Sequence, residues 1–202
     1  MTVVLFDLGN VLVEVTGYRV IADWLGESDL DAVVAHWLES PTVQQFERGQ
    51  CSVDTFASAI LSDYQIDMTP TDFLAAFKAW PQGLSAGAAQ LVRDANRSST
   101  VACFSNTNVI HWNSQTDHAQ IRNMFDATFA SHEIGFVKPE PAAFEHVVKA
   151  LGVQAEEIVF LDDAEANVRA ARDIGIQAHR VYGVDEARAA LTNLDLLTQS
   201  RR

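Results

Sequence analysis

The stretch that decides the fold is residues 3–12, which read VVLFDLGNVL. Its four apolar residues end abruptly at the carboxylate of Asp7, and a glycine and an asparagine follow, which predicts a buried strand running into a tight turn. In open α/β sheets, ligands bind beyond the carboxyl ends of the strands, so Asp7 lies where chemistry would take place. On this stretch alone, a turn aspartate that bonds its own backbone is the better interpretation, but three later stretches reverse that preference.

The composition excludes several classes of protein. Of the 202 residues, 14 are basic and 27 are acidic, and the net charge of −13 repels nucleic-acid phosphates and anionic lipid headgroups. We therefore expect neither a nucleic-acid partner nor a membrane partner. With this charge, an anionic small substrate needs a metal ion or a local cation to be held.

The cysteine content and the N-terminus indicate the cellular location. Cys51 and Cys103 are too few and too far apart for a disulfide framework or a zinc site, and Cys103 lies in an apolar run typical of a buried strand. The chain starts directly with the first strand, without a signal-type leader and without an apolar run of about 18 residues. We expect a cytoplasmic protein.

Between residues 15 and 81 the sequence predicts helices and no strand, which indicates an inserted helical cap. Apolar residues recur at helical spacing, as with Phe56 and Ile60. Thr69 followed by Pro70 is the clearest start signal, a capping residue before a proline at the first helical position. The aromatic side chains of this region are most simply the core of a small helical bundle. The predicted helices are Arg19–Leu25, Leu30–Leu38, Thr42–Arg48, Val53–Tyr64 and Pro70–Trp80.

From Ala86 onward, helices alternate with strands, which predicts a parallel sheet with right-handed crossovers. The fold class is therefore α/β, with a Rossmann-like parallel sheet of about five strands, helices on both of its faces and the inserted α-helical cap. We assign residues 1–14 and 82–202 to this core and residues 15–81 to the cap, and expect the tail after Leu197 to be frayed. The predicted helices are Gly87–Asn96, Val109–Gln115, Pro141–Leu151, Ala164–Ile174 and Asp185–Leu191, and the strands after the first are Thr100–Phe104, Ala127–Ala130, Ile158–Leu161 and Gln177–Val181.

One polar segment follows a predicted strand, and another lies just before a predicted helix. The first runs from Ser105 to Asn108 and offers hydroxyl and backbone N–H donors to an anion at a helix N-terminus, although an ordinary helix cap explains it equally well. The second comes just before the predicted helix Pro141–Leu151. There Pro139 keeps Lys138 extended, so the Lys138 ammonium can reach back over the strand ends. A solvated lysine is the usual alternative.

A pair of acids follows the predicted strand Ile158–Leu161. Asp162 and Asp163 repel each other at the end of a buried strand, and their proximity is costly unless a cation compensates. Asp163 alone could cap the next helix, but one acid suffices for that role. The pair therefore favours a hard metal ion with oxygen ligands, Mg²⁺.

Together, the four segments resemble the haloacid dehalogenase-like hydrolase superfamily, in the branch whose helical cap follows the first motif. The resemblance covers the whole chain, and within the branch it is closest to bacterial α-glucose-1-phosphate phosphatase-like proteins. The residues that carry the general resemblance are Phe6 to Leu8, Ser105 to Thr107, Lys138 with Pro139, and Asp162 with Asp163 and Asn167. Those that carry the closer one are Asp7 to Val11, Glu47 to Gly49, Ser105 to Asn108 and Lys138 to Glu140.

The resemblance implies a two-step hydrolysis of a small phosphate monoester, such as a sugar 1-phosphate. Asp7 would attack phosphorus to form an aspartyl-phosphate, which water then hydrolyses. Mg²⁺ would be held by the Asp7 carboxylate, the Gly9 backbone carbonyl and Asp163, with Asp162 and Asn167 in support.

The same resemblance assigns the phosphate-binding groups. Ser105 and the backbone N–H of Asn106 would hold phosphoryl oxygens, and Lys138 would neutralise charge in the transition state. The expected partner is a small-molecule phosphate ester, and we expect a monomer or a homodimer.

One position departs from the superfamily pattern. Most of its phosphatases carry a second aspartate two residues after the nucleophile as general acid and base, and here that residue is Gly9. Loss of such a group costs on the order of 10²- to 10⁴-fold in rate. Either the leaving group needs little protonation, as with the hemiacetal oxygen of a sugar 1-phosphate, or another residue supplies the proton. His111 is the candidate for that residue, and a surface or core histidine is the alternative.

The cap should select the substrate, because in this architecture it closes over the strand ends. Glu47 and Arg48 are the polar residues expected to point inward, where one of them would meet a sugar hydroxyl. A helix stop, with an arginine in the last turn and Gly49 after it, explains the same residues equally well.

Two rival functions stay open. A metal-free 2-haloacid dehalogenase shares the nucleophilic aspartate and also lacks the second one, but the pair Asp162 and Asp163 is unexpected in an enzyme that collects no metal. A catalytically impaired binding protein is kept open by Gly9, whereas retention of Asp7, Ser105 and Lys138 argues against it.

Overall fold

A computed structural model describes residues 2–114 and 118–197, with only the backbone described at 114 and 118–120. The strands are β1 (Val3–Phe6), β2 (Val13–Val15), β3 (Pro81–Leu84), β4 (Thr100–Ser105), β5 (Ala127–Ala130), β6 (Ile158–Asp162) and β7 (Gln177–Arg180). The helices are α1 (Gly17–Leu25), α2 (Leu30–Glu39), α3 (Pro41–Glu47), α4 (Val53–Asp63), α5 (Pro70–Lys78), α6 (Ala88–Ala95), α7 (Val109–Ser114), α8 (His118–Asn123), α9 (Ser131–Ile134), α10 (Pro141–Leu151), α11 (Glu165–Asp173) and α12 (Gly183–Asn193).

The centre of the fold is a parallel sheet in the order β5-β4-β1-β6-β7, with β1 in the middle. Residues of β1 alternate between two apolar clusters, Val4 and Phe6 in one and Val3 and Leu5 in the other. A strand buried on both faces reads as a continuous apolar run, which is why this stretch has no polar residue before its end. The predicted α/β class with a five-stranded Rossmann-like sheet is confirmed.

The register of the sheet brings the polar ends of three strands side by side. Phe6 lies opposite Cys103 of β4 and Leu161 of β6. Asp7 therefore follows β1 at the level where Asp162 ends β6, and its backbone N–H donates to the Leu161 carbonyl at 2.8 Å. The sheet supplies an edge on which groups distant in sequence become neighbours.

Helices α1 to α5 surround a separate apolar cluster rich in aromatic rings, in which Phe46 stacks on Phe56 with ring centroids 4.0 Å apart. Thr69 caps α5 as predicted, accepting from the Asp72 N–H at 3.2 Å. The position of the domain boundaries at 14/15 and 81/82 stays a prediction.

The chain leaves the sheet for these helices through β2 and returns through β3. The two strands pair with each other in a short antiparallel ribbon. The Thr16 N–H donates to the Trp80 carbonyl at 3.1 Å, which extends the pairing to the first and last residues beyond the ribbon. These two strands were not predicted from the sequence. With Pro81 and Gly83 in a four-residue segment, β3 has almost no strand propensity, and pairing with β2 defines it.

Other differences lie at element ends. Helix α1 begins at Gly17, two residues before its predicted start, and α5 ends at Lys78, two residues before its predicted end, because the Trp80 carbonyl pairs with Thr16. Helices α8 and α9 were not predicted, and the predicted end at Gln115 and the tail after Leu197 lie outside the described residues. Across the described residues, each helix is too short or too polar to cross a bilayer.

Candidate active site

The side chain of Lys138 is buried at the centre of the site. Its Nζ donates to Asp7 Oδ1 at 2.8 Å and to Asp162 Oδ2 at 2.6 Å. A third bond goes to the Phe104 carbonyl at 2.9 Å, at the end of β4. Although burial opposes it, the two carboxylates raise the pKa of Lys138, so the ammonium is permanently charged.

The Lys138 loop is held by the polar segment after β4. The Asn106 side chain donates to the Lys138 carbonyl at 2.8 Å and accepts from the Lys138 N–H at 2.8 Å. Only the backbone N–H of Asn106 was given a role from the sequence. The hydrogen bonds of its side chain could not be predicted, because their partner lies 32 residues further along the chain. Ser105 is buried at the end of β4, with its Oγ donating to the Asn106 carbonyl at 3.4 Å.

The paired acids after β6 have different environments. Asp162 is fully buried and accepts from the Ala164 N–H at 2.8 Å and from Asn167 Nδ2 at 3.0 and 3.1 Å, in addition to Lys138. Asp163 is part-buried and accepts from Asn10 Nδ2 at 3.0 Å. Asp162, and not Asp163, therefore serves the turn before α11, which leaves Asp163 directed towards the first loop.

The donor set fits a divalent cation. Asp7, Asp162 and Asp163 each offer a carboxylate oxygen, and these oxygens lie within 4.8 Å of one another. With all three carboxylates ionised, the single ammonium of Lys138 balances one of three negative charges and leaves a charge of about −2, which a hard ion with oxygen ligands matches. Burial raises the pKa of Asp7 to about 7 despite Lys138, with Asp162 and Asp163 adding to the shift, and burial also raises the pKa of Asp163.

Two polar side chains of the cap are within electrostatic range of this edge. The carboxyl of Glu47 lies at the end of α3, where Lys138 and Arg48 oppose the effect of burial, which raises its pKa to about 7. Burial, together with the charges of Glu47, Asp163 and Asp7, raises the pKa of Tyr18 well above its usual range. Tyr18 was not predicted as a site residue, because at the start of an amphipathic helix it looks like any core aromatic.

Arg48 has a different task from Glu47. Its guanidinium forms an ion pair with Glu140 at the start of α10, which links the cap to the core. Gly49 has a φ of 68° and approaches α9 so closely that a Cβ there would lie 2.5 Å from the His132 carbonyl oxygen. The helix stop considered in the sequence analysis is therefore present, and the same turn carries Glu47 to the site.

His111 lies where α7 meets the cap. Its Nε2 is 2.8 Å from the Phe77 carbonyl and its Nδ1 is 3.1 Å from Asn108 Nδ2, so Nε2 carries the proton and Nδ1 accepts. Its ring packs on Phe77 with centroids 4.2 Å apart, and burial lowers the pKa of His111 to about 4. The structure thus engages both ring nitrogens at the boundary between cap and core, while it brings Asp7, Lys138 and the acids after β6 together.

The fold and this acidic site define an α/β protein with a Rossmann-like parallel sheet, a helical cap and a carboxylate cluster at the strand ends. The family model of haloacid dehalogenase-like hydrolases matches residues 1–175, and the chain belongs to that family. The predicted family and enzyme class are confirmed.

Two curated relatives that match most of this chain are phosphatases. A sesquiterpene phosphatase of Aspergillus oryzae is 31% identical over 180 residues, which cover 85% of this chain and 85% of the relative. A D-ribitol-5-phosphate phosphatase of Bacteroides thetaiotaomicron is 22% identical over 197 residues, covering 94% of this chain and 96% of the relative.

A similar solved structure is that of a family enzyme from Bacteroides thetaiotaomicron in complex with magnesium and inorganic phosphate. It superimposes with a TM-score of 0.72 at 24% identity, covering 89% of this chain and 93% of that chain. At this identity the likeness establishes the shared fold.

Proposed function

We propose that the protein is a Mg²⁺-dependent phosphatase that hydrolyses a small phosphate monoester through an aspartyl-phosphate on Asp7. The observation that carries the proposal is the bridge of Lys138 Nζ between Asp7 and Asp162, beside a third carboxylate from Asp163. This arrangement places a nucleophilic carboxylate beside excess negative charge. A phosphoryl group is a suitable target for the nucleophile, and a divalent cation compensates the charge.

Mg²⁺ would be held by the carboxylates of Asp7 and Asp163 and by the carbonyl of Gly9. When bound, the ion reduces the electrostatic repulsion between the Asp7 nucleophile and the phosphate anion. Asp162 has a supporting role, because both of its oxygens already accept from Lys138, Asn167 or Ala164.

The remaining groups bind the phosphoryl group and stabilise the charge that develops during the reaction. Asp7 attacks phosphorus, Ser105 and the Asn106 N–H hold phosphoryl oxygens, and Lys138 stabilises the charge that spreads onto them in the transition state. The fixed hydrogen bonds between Asn106 and Lys138 pre-orient both groups before the substrate arrives.

A sugar phosphate, with a sugar 1-phosphate first among the candidates, is the substrate class that the cap favours. Glu47 and Tyr18 present polar atoms towards the strand ends, and an apolar terpenyl chain would leave them unpaired. The D-ribitol-5-phosphate phosphatase among the relatives supports a polyol phosphate, and the sesquiterpene phosphatase supports the opposite choice.

The test is a panel of sugar, polyol and prenyl phosphates assayed with Mg²⁺ beside Asp7→Asn. We expect hydrolysis of one or more hydroxylated esters, complete loss in Asp7→Asn and loss on chelation by EDTA. Hydrolysis of prenyl phosphates alone would contradict the substrate class.

The same assays address the dehalogenase alternative. An enzyme that attacks carbon would release halide from a 2-haloacid and be indifferent to EDTA. Halide release with no phosphate release from the panel would contradict the phosphatase proposal.

A further inference from the structure

Within the site the reaction lacks an obvious proton carrier. Gly9 has no side chain, Asp7 is the nucleophile, and Asp162 is saturated with donors. Lys138 is held as an ammonium by two carboxylates, so it cannot alternate between acid and base. For an ester whose leaving oxygen needs a proton, a group from outside the sheet edge has to deliver it.

The turn at Glu47 is held against the core by the two residues that follow it. Helix α3 ends at this residue, and the next two residues anchor the turn, Arg48 through its ion pair with Glu140 and Gly49 through its contact with the His132 backbone. Since His132 and Glu140 lie on either side of Lys138 in the chain, these contacts hold the turn of Glu47 against the segment that carries Lys138. The Lys138 charge correspondingly opposes protonation of Glu47.

Tyr18 is within electrostatic range of both the cap carboxyl and the core carboxylates. The charges of Glu47, Asp163 and Asp7 add to the effect of burial in raising the pKa of its phenol. Glu47 is partly buried, and among residues 2–114 and 118–197 its carboxyl makes no hydrogen bond or ion pair, which leaves it available to a substrate.

Two other candidates fit the role less well. The ring nitrogens of His111 are committed to the Phe77 carbonyl and to Asn108, and its pKa of about 4 keeps it neutral. Tyr18 stays protonated because its pKa is raised, so it can donate a hydrogen bond but cannot serve as a base near neutral pH. A carboxyl with a pKa of about 7, as for Glu47, gives and accepts protons at that pH.

We propose that Glu47 is the general acid and base of the reaction, replacing the side chain that Gly9 lacks. This inference rests on the proposed phosphatase function and gives the cap a part in the chemistry as well as in substrate selection.

The two steps balance as follows. As Asp7 forms its bond to phosphorus, the bond from phosphorus to the leaving oxygen breaks, and the Glu47 carboxyl transfers its proton to that oxygen. The Glu47 carboxylate then accepts a proton from water as the water oxygen bonds to phosphorus and the bond to Asp7 breaks. Ester and water give alcohol and phosphate, and both carboxyl groups return to their starting states.

The experiment compares Glu47→Gln with Glu39→Gln, a matched change at an exposed position of the same cap. On an alkyl phosphate that the wild type hydrolyses, Glu47→Gln should lose about 10²- to 10⁴-fold in kcat, whereas Glu39→Gln should be unchanged. The basic limb of the wild-type pH–rate profile on this substrate should disappear or move in Glu47→Gln, because Glu47 donates its proton to the leaving oxygen.

A second substrate separates proton transfer from a structural effect. p-Nitrophenyl phosphate has a leaving group that needs no proton, so Glu47→Gln should release about one equivalent of nitrophenolate per site in a fast phase and then stall. Intact mass spectrometry should detect the phosphorylated protein in the stalled state. The fast phase also shows that the variant is folded and that Asp7 still attacks.

The outcomes are distinct for the two proposals. A wild-type kcat in Glu47→Gln on the alkyl phosphate, or loss of the nitrophenolate burst along with turnover, contradicts a role for Glu47 in proton transfer and leaves the phosphatase proposal intact. A wild-type protein that cleaves none of the phosphate esters contradicts the phosphatase proposal, and this inference with it.

Discussion

At the scale of single residues, Lys138 is the point where three distant segments meet. Its Nζ bonds to the first loop, the end of β4 and the end of β6. Replacement by methionine would leave buried carboxylates without their cation, and removal of one partner of a buried ion pair is strongly destabilising.

For Lys138→Met without Mg²⁺, we expect a loss of about 3 kcal/mol in the free energy of unfolding at about pH 8. The loss should shrink at about pH 5, because Asp7 has a pKa raised to about 7 and is protonated there in the folded protein. Urea denaturation at the two pH values measures the difference. An equal loss at both would show that the carboxylates are not the cause.

Glu47 should make folding pH-dependent irrespective of catalysis. Its pKa is about 7 in the folded protein and near 4.5 when exposed, so ionisation penalises the folded state as the pH rises between these values. We expect Glu47→Gln to be more stable than the wild type by about 1 to 2 kcal/mol above pH 7 and equally stable near pH 4. Urea titrations across that range measure this, and a constant difference would contradict the raised pKa.

His111 is predicted to contribute to stability at the boundary between cap and core. His111→Gln removes the ring that packs on Phe77, and we expect a loss of about 1 to 3 kcal/mol near neutral pH. The wild type should lose stability as the pH falls from about 6.5 to 4, because only the unfolded state takes up the proton, and His111→Gln should lack this decline. A shift of the pH–rate profile in His111→Gln would instead support His111 as the residue that supplies the proton.

Much of the site could be predicted from the sequence, because each acid follows an apolar run. Asp7 comes after residues 3–6 and Asp162 after residues 158–161, and parallel strands bring such ends together. The partners Asn10 and Tyr18 could not be predicted this way. The hydrogen bond of Asn10 to Asp163 and the electrostatic effect of Glu47 on Tyr18 depend on how the cap and a loop are placed, and no local periodicity encodes that placement.

At the scale of elements, the helix that opens the cap depends on one close approach. A Cβ on Gly17 would lie 2.1 Å from the ring of Trp80, so a side chain at this position has to displace the ring. We expect Gly17→Ala to destabilise the protein by about 1 to 3 kcal/mol, measured by thermal or urea denaturation.

A double-mutant cycle identifies the cause of that loss. In a Trp80→Leu background, Gly17→Ala should cost little, since the ring it collides with is gone. If the cost is the same in both backgrounds, backbone entropy rather than the ring limits the position.

Elements with strong local signals were predicted within one or two residues. Helix α10 has a proline at its first position and a glycine after its end, and both of its limits agree with the prediction. Strands β2 and β3 have no such signals. They exist because two chain crossings lie together, a property of the folded chain rather than of either segment.

At the scale of the whole molecule, metal binding should be visible in stability. An ion that binds the folded protein alone raises its melting temperature, and Asp7 must lose its proton to take part. We expect Mg²⁺ to raise the melting temperature more at about pH 8 than at about pH 6, because the pKa of Asp7 is about 7. Scanning calorimetry measures this. The same rise in Asp163→Asn would place the ion elsewhere.

The ribbon of β2 and β3 has a consequence for how such proteins diversify. Outgoing and returning chain lie a hydrogen bond apart, with the Thr16 nitrogen 3.1 Å from the Trp80 oxygen. Because the two connections of the cap lie side by side, the cap can be shortened, enlarged or replaced by an unrelated one while every strand of the sheet keeps its neighbours. Selectivity can then evolve as an exchangeable module above chemistry that stays in place.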